Sequence, residues 1–241
     1  MTDDFSNLRI GVVIPAMNEA GGLSQVLPAI PAWAKPVIVV DHRSTDGTSE
    51  VAARLGAMAI AEPRPGYGTA CLTGIAALAQ HDIIVFLDAD ASDDPSEMHS
   101  LVRPIAEGRA DMVLGSRTLG KRERGSLTPQ QVFGNWLACL LIRIIWGVRF
   151  TDLGPFRAIR RDALERLDMA DRNYGWTVEM QVRAAKAGLR CLEVPVSYRR
   201  RIGQSKVSGT IKGTIKAGYK ILFVIARETL AFRRGRKVTA A

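Results

Sequence analysis

Residues 82–95 read DIIVFLDADASDDP. The apolar run Ile83–Leu87 is rich in β-branched side chains and stops at two aspartates, Asp88 and Asp90. A short, continuous apolar run bounded by turn residues is the pattern of a strand buried on both faces of a parallel sheet. Both carboxylates then emerge where the chain leaves the core. Two aspartates that close repel unless a cation joins them. An oxygen-only pair with few other protein ligands suits Mg2+ or Mn2+, which keep positions open for phosphate oxygens.

The same grammar extends on both sides. Arg9–Pro15 (RIGVVIP), Pro36–Asp41 (PVIVVD), Ala57–Glu62, Asp111–Gly115 and Arg190–Tyr198 read as further strands. Asn18–Ile30, Ser44–Leu55, Thr69–Ala79 and Pro95–Gly108 read as the helices between the first five. The alternation predicts an α/β fold, a mostly parallel sheet flanked by helices. Beyond Gly115 come a charged loop, Gly120–Pro129, and a helix apolar nearly all round, Val132–Gly147. Asp162–Leu167 and Thr177–Ala187 follow as amphipathic helices, and Ile211–Phe232 as a final one.

The chain has 241 residues, 47% hydrophobic and 24% charged, which excludes a disordered or fibrous protein. One domain over residues 1–241 is expected, with a core at about 9–200 and a basic C-terminal helical segment at about 201–241. The start, MTDDFSNLR, lacks the pattern of a secretory leader. The longest apolar stretch, Trp136–Val148, carries Arg143 and falls short of the roughly 20 residues that cross a bilayer. Cys71, Cys139 and Cys191 are scattered, so a reduced, cytoplasmic setting without structural zinc is expected.

Charge is uneven. The net charge is +9, yet residues 199–241 alone hold twelve Lys/Arg against Glu228, leaving −2 for the rest. Such a segment points to an anionic partner, and Lys212, Lys216, Lys220 and Arg227 fall on one stripe of the expected last helix. An anionic membrane surface, met peripherally from the inner face, is the expected partner. Nucleic acid is not, because Tyr198, Tyr219, Phe223 and Phe232 are the only aromatics available for base stacking there.

Ligands of parallel sheets bind beyond the carboxyl ends of strands. Those ends carry Pro15, Asn18 and Glu19, then Asp41, then Asp88 and Asp90. No GxGxxG follows the first strand and no GxxxxGK[ST] occurs, against a dinucleotide dehydrogenase or a P-loop enzyme. Gly66-Tyr67-Gly68 reads equally as a plain turn or a phosphate contact.

The ordered set PAMNE (15–19), DHRSTDGT (41–48), PGYGTA (65–70), FLDADASDDP (86–95), GSR (115–117), TDLGPFRAIRR (151–161) and RIGQSK (201–206) resembles the family 2 glycosyltransferases with the GT-A fold. Within them it is most similar to the polyprenyl-phosphate (dolichyl-phosphate) mannose and glucose synthases, over about residues 9–225. The resemblance implies a metal-dependent, inverting transfer of a sugar from a nucleoside diphosphate donor, UDP- or GDP-linked, to a lipid phosphate. It implies that Pro15, Asn18 and Glu19 lie against the nucleoside, with Asp41 at the base or ribose and Gly66 in the donor site. It further implies that Asp88 and Asp90 hold the donor sugar and the metal-bridged diphosphate, and that Arg117 and Arg157 contact phosphate or sugar. Arg201, Ser205 and Lys206 would meet the acceptor phosphate or the leaving diphosphate. His42 and Ser92 depart from the pattern, which usually has a second aspartate and, in several relatives, a glutamine.

Chemistry leaves one choice open. A phosphate monoester, with its second pKa near about 6, is already a dianion at neutral pH and attacks without a general base. A hydroxyl acceptor, on a small metabolite or glycolipid, requires one, and Asp152 and Glu179 are the candidates. A non-enzymatic basic adaptor at a membrane is the alternative of another class, and it leaves the ordered motifs unexplained.

Overall fold

The structure is a computed structural model that describes residues 5–203 and 218–230. Seven strands, β1 (Ile10–Ala16), β2 (Val37–Asp41), β3 (Met58–Ala61), β4 (Ile83–Phe86), β5 (Met112–Ser116), β6 (Arg157–Arg160) and β7 (Cys191–Pro195), form one sheet in the order β3-β2-β1-β4-β6-β5-β7. The β1–β2, β2–β3, β1–β4 and β5–β7 pairings are parallel. β6 runs antiparallel to both β4 and β5.

β6 is the element that the apolar-run pattern does not reveal. Its sequence, RAIR, is flanked by arginines and reads as neither a buried run nor an alternating one. Because it is antiparallel, with Arg157 opposite Phe86 and Arg160 opposite Ile83, its entrance rather than its exit lies at the carboxyl edge of β4. The connection 151–156 is thereby delivered to the same edge as Asp88 and Asp90.

Side chains alternate across the sheet and build two cores. Val12, Ile14, Ile83, Val85 and Val113 face α1 (Ala20–Ala29) and α4 (Met98–Ala106), where Leu23, Val26, Leu101 and Val102 meet them. Val13, Ile84, Phe86 and Leu114 face the other way, toward α3 (Tyr67–Ala77), α5 (Pro129–Trp146), α6 (Arg161–Leu167) and α7 (Trp176–Lys186). α2 (Thr48–Arg54) packs between α1 and β3. Residues 218–230 are helical (α8) and bury Val224 and Ile225 in the second core. The remainder of the expected Ile211–Phe232 helix lies outside the described residues, as do Ser205, Lys206, Lys212 and Lys216.

α5 starts at a Thr128/Gln131 capping box with Pro129 in its first turn, and Gly147, at φ 75°, ends it. Only Ala138, Cys139 and Ile142 of this nearly all-apolar helix are buried, whereas Val132, Phe133, Trp136 and Ile144 are exposed. No helix among the described residues is long and apolar enough to cross a membrane.

Candidate active site

The first wall is built where β1 and β2 end. Asn18, at φ 54°, accepts from Thr45 N at 2.7 Å and donates its own N–H to Ser44 Oγ at 2.8 Å. The N–H of Glu19 donates to Thr48 Oγ1 (3.0 Å) and that of Ala20 to Asp46 (3.1 Å). Asp41 accepts from Ser44 N (2.9 Å) and Ser49 Oγ (2.6 Å). Pro15, opposite Val40, is buried in β1. The structure therefore gathers Pro15, Asn18, Glu19 and Asp41, and locks the two strand exits together through Asn18, Ser44, Asp46 and Thr48.

The floor is the segment 88–94. A Cβ on Gly22 would strike the carbonyl of Ala89, so α1 can lie directly against this segment only with glycine there. Asp88 accepts from the Tyr67 hydroxyl at 2.9 Å; burial and the neighbouring Asp90 push its pKa up to about 7. Asp90 Oδ1 accepts from the Ser92 N–H (2.9 Å) and hydroxyl, and Oδ2 lies 3.3 Å from the Arg201 guanidinium. Ser92 thus orients Asp90. Asp93, which the sequence analysis does not single out, is buried with neither carboxylate oxygen hydrogen-bonded. Burial, then repulsion by Asp88, push its pKa well up. The signal for it is its place as the third acid of the run DADASDDP (88–95).

Crowded, underneutralised carboxylates fit a divalent cation. Among the described residues no three His, Cys, Asp or Glu side chains converge tightly enough to cage one. Asp88 and Asp90 would supply two oxygen ligands and leave the other positions to phosphate oxygens and water, the arrangement that Mg2+ favours.

The second wall comes from the β5 exit and the β6 entrance. Arg117 grips Asp152 through two parallel bonds (2.7 and 2.6 Å) and its own backbone N–H (2.8 Å), and stacks 5.0 Å from the Tyr198 ring centre. Glu193 receives the backbone N–H groups of Thr151 and Asp152, fixing that turn. Asp152, one of the two candidate bases, is thus paired with Arg117. Arg157, expected at phosphate or sugar, is instead buried and donates to the carbonyls of Gly154, Leu153 and Thr177. Burial lowers its pKa to about 10, and it holds the 151–156 turn from beneath.

Glu179, the other candidate base, is completely buried, and it accepts from the N–H groups of Ala170 (3.0 Å) and Asp171 (2.7 Å) and from Arg227 of α8 (2.6 Å). Lys220 pairs with the buried Asp171 at 2.8 Å. The two described members of the C-terminal basic stripe thus turn inward as clamps, where an outward, lipid-facing stripe was expected. Gly66, at φ 124°, sits where a Cβ would collide with the Arg172 carbonyl.

The segment 198–203 closes the site. Tyr198 exchanges backbone bonds with Lys121 and Glu123, Arg199 N donates to Ser92 O (2.8 Å), and Ile202 N donates to Asp90 O (2.8 Å). Arg201 reaches inward between Glu19 (3.0 Å) and Asp90.

Comparison with known proteins fits this geometry. The sequence is 41% identical over 216 residues to an uncharacterised glycosyltransferase of Mycobacterium tuberculosis strain H37Rv, covering 86% of this chain and 94% of that protein. It is 31% identical over 226 residues to the undecaprenyl-phosphate mannosyltransferase of Micrococcus luteus, covering 86% and 90%. The fold is similar to glucosyl-3-phosphoglycerate synthase of M. tuberculosis, solved with Mn2+, UDP and phosphoglyceric acid, at a TM-score of 0.73 and 21% identity over 93% of this chain and 79% of that one. This is the GT-A arrangement. Residues 11–168 match the family model described as glycosyl transferase family 2, and the chain belongs to that family: it is a glycosyltransferase.

Proposed function

We propose that the protein transfers a sugar from a UDP- or GDP-linked donor to a polyprenyl- or dolichyl-type lipid phosphate, with inversion at the anomeric carbon. The observation that carries the acceptor class is the fate of the two candidate bases. Asp152 is gripped by Arg117, and Glu179 is taken up by two backbone N–H groups and Arg227. A phosphate dianion attacks without a base, so this site needs neither carboxylate free. The 31% identity to an undecaprenyl-phosphate mannosyltransferase supports the same acceptor class.

In this reading Pro15, Asn18, Glu19 and Asp41 form the nucleoside wall. Asp88 and Asp90 hold Mg2+ or Mn2+, which when bound neutralises charge on the departing diphosphate. An acceptor phosphate oxygen forms the new bond to the anomeric carbon as the bond to the donor diphosphate breaks, the electron pair leaving with the nucleoside diphosphate. Arg201, with Ser205 and Lys206 outside the described residues, supplies two cationic groups and a hydroxyl donor to the phosphates; arginine does so through a bidentate fork. Arg117, held flat between Asp152 and Tyr198, lines the same space.

A lipid acceptor calls for a membrane-facing surface. Val132, Phe133, Trp136 and Ile144 of α5 and Tyr219, Leu222, Phe223 and Leu230 of α8 are exposed, and Lys121, Arg122 and Arg124 precede α5 in an exposed loop. Aromatic and basic side chains together suit the surface of an anionic bilayer, here at its cytoplasmic face.

The test offers labelled UDP- and GDP-sugars with Mn2+ to polyprenyl phosphate and, separately, to hydroxyl-bearing metabolites. Label should appear in a butanol-soluble product that mild acid releases. Label found only in acid-stable glycosides would overturn the phosphate acceptor and leave the family assignment intact.

A further inference from the structure

Arg201 reaches into the site from the segment 198–203, and its surroundings are lopsided. One Nη sits 3.0 Å from Glu19 and 3.3 Å from Asp90, carboxylates delivered by two different strand ends. Its Nε is buried with no hydrogen-bond partner among the described residues. Three residues on from Asp90, both oxygens of the buried Asp93 also lack hydrogen-bond partners among the described residues. The guanidinium therefore neutralises an acidic cluster while one of its own donors stays unmet. A buried orphan donor beside partly met carboxylates marks an arrangement held until a better-matched ligand arrives.

The backbone around Arg201 is pinned. Arg199 N and Ile202 N donate to the carbonyls of Ser92 and Asp90, so residues 199 and 202 are tied to the segment that carries the carboxylates. The side chain alone, one-third exposed, is free to change partner. Arg199 and Arg200 do not share this role, because their guanidinium groups lie outward on Asp94 and on the Arg124 carbonyl.

We propose that Arg201 is a displaceable internal counter-ion of the Asp90–Glu19 pair. It competes with divalent cation for Asp90, and on release turns its fork to an anionic phosphate ligand. This rests on Asp88 and Asp90 being the cation ligands. It adds a coupling: cation binding and the presentation of Arg201 to phosphate become one event, because Asp90 cannot serve both partners fully. Coupling of this kind is reciprocal, so a nucleoside diphosphate that engages Arg201 should tighten cation binding.

The test is a Mn2+ titration of the full chain followed by electron paramagnetic resonance of free Mn2+, with no sugar or acceptor present. Arg201→Gln is expected to bind Mn2+ roughly twofold to fivefold more tightly than wild type, the range set by losing one partly exposed competing ion pair. Arg201→Lys, which keeps the charge, should tighten it less. Arg199→Gln removes the same charge from the exposed partner of Asp94 and should change affinity less than twofold at physiological salt, where such charges are screened. Adding UDP should tighten Mn2+ binding more in wild type than in Arg201→Gln. Thermal melts without metal verify that each variant is folded. Unchanged or weaker Mn2+ affinity in Arg201→Gln overturns the proposal, as does equal tightening by Lys and Gln. A wild-type chain that takes up no Mn2+ even with UDP overturns the cation assignment and the competition together, whereas the acceptor assay above stands or falls separately.

Discussion

The carboxylates at the end of β4 and those beneath α8 are the same chemical group in opposite circumstances. Asp88, Asp90 and Asp93 crowd into one short segment, and Asp93 has no hydrogen-bond partner for either oxygen. Asp171 and Glu179 are as deeply buried, yet Lys220 reaches one, while Arg227 and two backbone N–H groups reach the other. Glu228 adds Lys186 and Arg183 to the same clamp. A buried charge that is fully met is scaffold, and one left short of partners is available to a ligand. The difference teaches that burial alone does not separate the site from the frame; the completeness of the partners does.

The comparison breaks most sharply at Asp90. Asp90→Asn should reduce turnover by at least about 10²–10³-fold, the scale of losing one electrostatic stabiliser of a leaving group. Its melting temperature should stay level or rise, since the substitution relieves repulsion with Asp88. Steady-state rates at saturating Mn2+, alongside thermal melts, check both halves.

Glu179→Gln should do the reverse. Removing one side of a buried ion pair leaves Arg227 poorly matched and should destabilise by on the order of 3 kcal/mol. The specific activity of the fraction that remains folded should stay within a few-fold of wild type. Urea unfolding with activity normalised to folded protein distinguishes this from loss of a general base, which costs roughly 10²–10⁴ in rate.

Proton linkage sharpens the contrast. Asp88, pushed up to about 7, is protonated in the folded metal-free protein at pH values where the unfolded chain has already ionised, above about 4. It therefore costs stability progressively as pH rises from about 4 to about 7. Asp111, held down to about 2 by hydrogen bonds from Arg190, contributes stability that is complete above about 4 and is lost as pH falls toward 2. In metal-free denaturant titrations, Asp88→Asn should gain stability at pH 7.5 and little at pH 4. Asp111→Asn should lose stability at pH 7 and little at pH 2.

The smallest effect concerns the surface. Replacing Phe133 and Trp136 together with serine should weaken co-sedimentation with anionic vesicles by a few-fold without moving the melting temperature, since both rings are largely exposed. Lys220→Gln should lower stability and leave vesicle binding unchanged. Unaltered sedimentation of the double variant would remove α5 as the membrane-facing surface.

The sequence by itself determined the frame. Apolar runs bounded by turn and charged residues identified six of the strands, their parallel sense and the edge where Asn18, Glu19, Asp41, Asp88 and Asp90 gather, and the reading is plainest where the strand is buried on both faces, as in β1, β4 and β5. Tertiary structure alone decided what the charges do. β6 was hidden because its arginines are met by carbonyls and acids that lie elsewhere in the chain, and no local pattern announces such partners. For the same reason the sequence shows Asp152 and Glu179 only as candidate bases, while the structure pairs them with Arg117 and Arg227, buries Arg157 and turns Lys220 toward Asp171. A carboxylate that holds an ion pair and one that is left free look alike in sequence; which partners reach it, across tens of residues of chain, is fixed only when the sheet order and the helix packing are fixed.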